Sequence, residues 1–390
     1  MTLMVRDEAD VIASQIEHHI AQGIDLFIVT DNGSVDGTTE ILQGYETTGI
    51  LVLHHDPVHQ KQQGETVTKM AREAYSKCGA DWVLNADADE FWVASNGSLT
   101  VREALSGTSK SLVCFPVPVV DMIGDPALVG SGLGRLVYRD LRSVSKLRDI
   151  GLHAHATPDT PHIGSPDVVV AQGNHFVNLT STGAPPSHLA LEVLHFPWRS
   201  WEQFRRKVDN AGRAYENQTG LTPSPNHHGM RDYRRLRAGT LLAHYMLRHP
   251  TEDQLRDGVA SGEFVHELRI AGENLTVVAD VPLLGEKGGA ASASMSVLNS
   301  LELALRDSSA MNVALEDGAT AQAQKSEDEV RELRFELAGL RSEVVELEAV
   351  VSQERAVRAQ VQDLLAAQRN RRIVRVVDAV ADRFRKTRRQ

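Results

Sequence analysis

The sequence predicts an α/β fold: a mostly parallel sheet flanked by helices, with a helical coiled coil appended at the C-terminal end. Three observations predict it. Short apolar, partly β-branched runs alternate with segments of helical period from Thr2 to Leu84. Acidic or turn-forming residues follow these runs, as they do at the carboxyl ends of parallel strands, where ligands bind. From Val330 the apolar spacing changes to alternating threes and fours with charged flanks, the seam of a coiled coil.

Thr2 to Val5 reads as the first strand, ending in Arg6, Asp7 and Glu8. Val11, Ile12, Ile16, His19 and Ile20 then recur at helical spacing up to Gly23. Leu26 to Val29 is a second strand that runs into the turn Asp31-Asn32-Gly33-Ser34-Val35-Asp36-Gly37-Thr38, with Asp36 or Thr38 placed to cap the next helix. Ile50 to Leu53 is a third strand, and Val67, Met70, Ala71, Ala74 and Tyr75 mark a helix. Trp82, Val83 and Leu84 end a fourth strand, which delivers Asp87, Asp89 and Glu90. Such strand–helix alternation is the pattern of a parallel sheet covered on both faces.

Bulk properties narrow the class. A chain of 390 residues suggests one large or two smaller units, and 42% apolar residues suffice for a core. Cys78 and Cys114 form no C-x-x-C or Cys/His spacing, which fits a reducing compartment. No apolar run reaches a spanning length, and the N-terminal residues become charged too early for a signal peptide, so a cytoplasmic location is expected. A net charge of −11 argues against a nucleic-acid partner.

Three carboxylates within four residues repel one another unless a cation or water compensates. Asp87 and Asp89, separated by Ala88, can both turn toward one hard divalent ion, and oxygen ligands suit Mg²⁺ or Mn²⁺. The plainer reading is a solvated acidic turn.

The stretches TLMVRDEAD, TDNGSVDGT and DWVLNADADEFW, followed by LEVLHFPWRSWEQFRRKVDNAGRAY, together resemble a family 2-type glycosyltransferase of the GT-A, Rossmann-like fold, in its bacterial DADEF branch. The resemblance covers roughly residues 1 to 220. It implies a UDP- or GDP-sugar donor bound by Arg6, Asp31, Asn32, Asp36 and Asp87, and Mn²⁺ or Mg²⁺ held by Asp87, Asp89 and His195. It also implies an inverting hexosyl transfer to a glycan or lipid-linked acceptor, in cell-envelope polysaccharide synthesis. Inversion needs a carboxylate near the acceptor hydroxyl, for which Glu192, Asp121 and Asp125 are available. From the residues alone, Asp31 is equally an Asx-turn, and His195 equally a core histidine.

Ser111 to Val120 reads as an edge strand interrupted by prolines, and Val168 to Val170 leads to another strand end. Lys146 and Arg148 read as solvated, as do Arg199, Arg205, Arg206 and Lys207 on a basic amphipathic helix. His153, His155, His162 and His175 crowd a loop-rich span, but their spacings match no compact zinc site.

The organisation expected is a catalytic domain over residues 1–220, a helical extension over 221–282, a linker and loose helix over 283–325, a coiled coil over 326–368 and a basic amphipathic helix over 369–390. The coiled coil predicts a homo-oligomer. The last segment sets eight arginines and one lysine against two aspartates, a net of +7, beside several valines. That composition suits peripheral contact with anionic lipid at the inner face of the membrane. Two rival readings are a nucleotidyltransferase acting on sugar phosphates and a non-enzymatic coiled-coil scaffold.

Overall fold

The first strand of the protein, β1 (Thr2–Val5), lies inside a four-stranded parallel sheet. The computed structural model describes residues 1–58, 63–171, 173–216 and 228–283, and further on 362, 365–367, 372 and 375–383. In chain order β1 is followed by α1 (Ile12–Ala21), β2 (Phe27–Asp31), α2 (Thr38–Glu46), β3 (Leu51–His55) and α3 (Gln63–Ser76). Then come β4 (Trp82–Val83), β5 (Asn85–Ala86), β6 (Glu90–Ala94) and α4 (Val101–Gly107). The parallel sheet has the order β3-β2-β1-β5, so the acidic stretch emerges beside the end of β1. The predicted fourth strand divides at Leu84: its first half pairs elsewhere, and only Asn85 and Ala86 join β1.

Beyond α4 lie β7 (Val119–Ile123), β8 (Ala127–Val129), β9 (Tyr138–Asp140), α5 (Val144–Asp149), β10 (His162–Ile163) and β11 (Leu191–His195). Then follow α6 (Trp201–Glu216), α7 (His228–Ala238), α8 (Leu241–Leu247), α9 (Glu252–Ser261), β12 (Phe264–His266) and β13 (Val281–Pro282). A second, mixed sheet has the order β12-β9-β7-β11-β6. The expected edge strand over 111–120 is corrected here. Pro116 and Pro118 offer no N–H to a ladder, so the strand starts at Val119 and sits in the middle of this sheet. Val168 to Val170 forms no strand, only an isolated bridge from Val170 to Val177. Lys146 and Arg148 lie on α5, not in a loop. Among the described residues the extension beyond residue 221 supplies α7, α8 and α9 and also the strands β12 and β13.

The core joins both sheets through Leu3, Val29, Phe91, Trp92, Val193 and Phe196, all buried. β6 ends its sheet, and its outer edge is closed by α1 instead of another strand. Trp92 N–H donates to His19 Nε2 (3.1 Å), and His18 Nε2 donates to the Trp92 carbonyl (2.9 Å). Two helix histidines thus satisfy backbone groups that burial would otherwise strand.

The chain divides into two units, Met1–Asp317 and Gly318–Gln390. The heptads of 326–368 and the linker of 283–325 fall almost wholly outside the described residues. Residues 375–383 are helical and expose Val376, Val377 and Val380. Among the described residues no helix is long and apolar enough to cross a membrane.

Candidate functional site

Strand ends bring the acidic stretch, Arg6 and α6 together. β5 stops at Ala86, and Glu90 N–H donates to the Asp87 carbonyl (3.2 Å), which turns Asp87, Ala88 and Asp89 toward the end of β1. Asp87, Ala88 and Asp89 line a cavity of about 170 Å³ with Met4, Arg6, Glu8, Gln63, Lys207 and Asn210.

Asp89 is fully buried. Lys207 Nζ donates to its Oδ2, Arg199 Nη1 lies 3.4 Å from that oxygen and His195 Nε2 3.9 Å from it. Burial opposes its charge, but Lys207, His195 and Arg199 outweigh burial and hold the carboxyl below the usual carboxylate range. Asp87 Oδ1 accepts from Gln63 Nε2 and Asn174 Nδ2, both at 3.0 Å. Burial and the charge of Asp89 push the Asp87 carboxyl up. Glu90 is also pushed up, by burial and then by Asp159 and Asp87. Asp159 rises to about 8 through burial and the charge of Asp87.

His195 takes its place from strand register. It pairs with Glu90 across the antiparallel β6 and with Asp121 across the parallel β7, so the three stand in one row. His195 Nδ1 contacts Asp121 Oδ1 at 2.9 Å, and His155 Nδ1 lies 3.3 Å from Asp121 Oδ2. Burial alone would lower His195, but Asp121 and Asp89 raise it to about 9. Asp121 resists burial through its bonds to His155 and His195 and stays below the ordinary range.

The basic residues expected to be solvated on α6 are largely engaged, which corrects that expectation. Arg199, completely buried, donates through Nε to Asp10 (2.9 Å) and through Nη2 to Glu8. Arg206 lies 3.5 Å from Asp36, and Asn210 donates to Asp7 (2.8 Å). Asp7 itself adopts φ 56°, a strained conformation for a non-glycine residue, and also accepts from Val35 N–H. Among these residues Arg205 alone stays exposed. α6 is thereby tied down over the strand ends through Arg206, Lys207 and Asn210, with Arg199 anchoring the residues just before it.

Several predicted residues serve other purposes. Asp31 accepts from Ser34 N–H (2.9 Å), Ser34 Oγ (2.6 Å) and Thr39 Oγ1, so it builds its own turn, which Gly33 and Gly37 complete at positive φ. Asn32 donates to the carbonyls of Asp56 and Val58, and its own carbonyl accepts from Arg6. Asp36 binds Thr38 and Ala9 N–H. Of the predicted donor residues, only Arg6 and Asp87 line the cavity.

Glu192 is held by Arg139 (2.6 Å) and Arg269 (2.7 Å). Alternation along β11 puts it on the face opposite His195, which removes it as the base. Asp125 is exposed and lines a separate cavity of about 630 Å³ with Tyr138, Leu255 and His266. Asp121 alone of the three joins the row. The sequence reading missed Gln63, Asn174 and Asp159. The first two sit in segments read as helix and strand end, and no pattern marks Asp159.

The donor set fits a hard cation. Asp89 Oδ1 is buried without a hydrogen-bond partner, and the Asp87 carboxylate shares its cavity. An imidazole oriented by a carboxylate, as His195 is by Asp121, is a familiar metal-ligand arrangement. Among the described residues, His153, Asp232 and His244 bring three ligand atoms within 4.8 Å of one another; Asp87, Asp89 and His195 do not come that close.

Residues 1–115, under a third of the chain, match the family described as Glycosyltransferase family 92. The match agrees with the sequence resemblance in naming glycosyltransferases and differs in the family, 92 instead of the family 2 type. A comparison with curated proteins finds no match. Among solved structures, residues 1–349 of S. aureus TarS are similar at 13% identity, with 67% of this chain and 78% of that one covered and a TM-score of 0.31. Its complex with UDP gives 14%, 67%, 79% and 0.30, and its complex with UDP-GlcNAc gives 13%, 62%, 71% and 0.32. Likeness this low carries no statement about the present chain.

Proposed function

We propose that this chain is a metal-dependent glycosyltransferase that moves a sugar from a UDP- or GDP-sugar to a glycan or lipid-linked acceptor, in cell-envelope polysaccharide synthesis. One observation carries the reading. Asp87 and Asp89, with an unpartnered carboxylate oxygen, share a strand-end cavity with the cations Arg6 and Lys207. The family 92 match over residues 1–115 supports the same reaction class.

Asp87, Asp89 and His195 are the residues that would hold Mn²⁺ or Mg²⁺, and such an ion would supply neutralisation of the departing diphosphate. The chain's own residues do the rest. Lys207 and Arg6 place positive charge where the pyrophosphate lies, and Lys207 exchanges its hold on Asp89 for the phosphate. Asp121 fixes the His195 ring through its contact with Nδ1, which leaves Nε2 as the nitrogen that would face the ion. Asp121, which pairs with His195 across β7, would be the base in an inverting transfer.

Incubation of the purified protein with a panel of nucleotide-sugars tests the reading. Release of nucleoside diphosphate that requires Mn²⁺ or Mg²⁺ supports it. Pyrophosphate release from a nucleoside triphosphate and a sugar phosphate would instead make the chain a nucleotidyltransferase, and no turnover of either kind would favour a scaffold.

The heptads support a homo-oligomer. The exposed valines of residues 375–383, among their arginines, support peripheral contact with anionic lipid.

A further inference from the structure

Away from the Asp87–Asp89 cavity, three side chains distant in sequence converge. His153 comes from the loop after α5, Asp232 from α7 and His244 from α8. His153 Nε2 lies 3.7 Å from Asp232 Oδ1, and His244 Nε2 lies 3.5 Å from the same oxygen. Such separations are long for hydrogen bonds. They are close to the edge, about 3.3 Å, of a tetrahedron built from zinc bonds of about 2.0–2.1 Å to nitrogen and oxygen. The His244 side chain is only 3% exposed, and neither of its ring nitrogens has a hydrogen-bond partner. His153 Nε2 is also buried and unpartnered.

We propose that His153, Asp232 and His244 form a binding site for one zinc-type transition-metal ion, with water as the fourth ligand. The proposal is independent of the glycosyltransferase reading. Two imidazoles and a carboxylate suit Zn²⁺ or Co²⁺ and disfavour Mg²⁺.

Nearby guanidiniums sharpen the choice of ion. Arg235 donates to Asp232 Oδ1 (2.7 Å), Arg231 contacts His153 Nδ1, and Arg248 is within electrostatic reach. They oppose any dication, so only an ion with strong bonds to imidazole will stay. A metal on His153 Nε2 would require the ring proton on Nδ1, so the Arg231 contact there would have to be given up. The site would pin the loop after α5 onto α7 and α8. His155, two residues further on, contacts Asp121 and so the row at His195.

The test uses the full chain, stripped with chelator and then titrated with Co²⁺ alone. The proposal expects one tetrahedral Co²⁺ per chain, seen by its intense visible absorption in wild type and Asp89→Asn alike, with displacement by Zn²⁺ and a raised Tm. Folded His153→Gln should lose the absorption, and Asp89→Asn should keep it. His244→Gln serves as the second variant should His153→Gln fail to fold by circular dichroism. Wild-type protein that takes up no stoichiometric Co²⁺ at micromolar concentrations overturns the proposal without any variant. Absorption that persists in folded His153→Gln, or vanishes only in Asp89→Asn, overturns it as well.

Discussion

Lys207 places its ammonium on the carboxylate of Asp89, a residue 118 positions earlier in the chain. The contact joins α6 to the acidic strand end and puts a cation at the mouth of the cavity. Lys207→Met should raise KM for a nucleotide-sugar about tenfold, a loss of about 1.4 kcal/mol in binding. It should leave the fold intact, since the side chain is partly exposed. Steady-state kinetics with varied donor check this; an unchanged KM would place the phosphates elsewhere.

Arg199 is completely buried among Glu8, Asp10 and Asp89. Removal of one partner from a buried charge network leaves the others uncompensated, at a cost of about 3–5 kcal/mol. Arg199→Met should therefore lower stability by that amount in urea unfolding. A loss below about 1 kcal/mol would mean that water reaches these carboxylates in solution.

Glu192 and Asp121 give opposite expectations. Glu192→Gln should retain transfer activity while losing some stability, because it sits between Arg139 and Arg269. Asp121→Asn should lower kcat by at least about a hundredfold, through loss of the proton acceptor and misorientation of His195. Parallel kcat measurements decide; a severe kcat loss in folded Glu192→Gln would restore it as the base.

Acid stability should follow Glu267. Burial opposes its charge, but Arg269 and Arg139 lower it to about 2. A carboxylate depressed in the folded state stabilises fully above its unfolded pKa near 4.5, and that contribution is lost as pH falls toward about 2. Glu267→Gln should cost on the order of 2 kcal/mol at pH 7 and flatten the stability profile between pH 4.5 and pH 2. Thermal melts across that range check it. Equal slopes for variant and wild type would show that the ion pairs contribute nothing.

Much of the parallel sheet was legible because its strands are continuous apolar runs and its turns carry Gly, Asn and Asp. The placement of Asp87 and Asp89 followed from those runs alone. Side-chain partnerships were not legible, since nothing local tells Lys207 that Asp89 awaits it or tells Arg199 that Glu8 and Asp10 do. Glu192 lies three residues before His195, a spacing that shares a face on a helix. Leu191–His195 is a strand, and there the same spacing separates the faces. Pro116 and Pro118 misled in the other direction: they end before the ladder begins, so the strand after them is central. His153, Asp232 and His244 had no readable spacing, because two helices and a loop bring them together only in the fold.

The most direct measurement is an anomalous-difference map at the manganese edge, from crystals grown with Mn²⁺ and a nucleoside diphosphate. The account predicts one peak between the carboxylates of Asp87 and Asp89, in contact with the diphosphate and within reach of Lys207 and Arg6. A diphosphate bound with no metal peak there, or a peak distant from both aspartates, would contradict it.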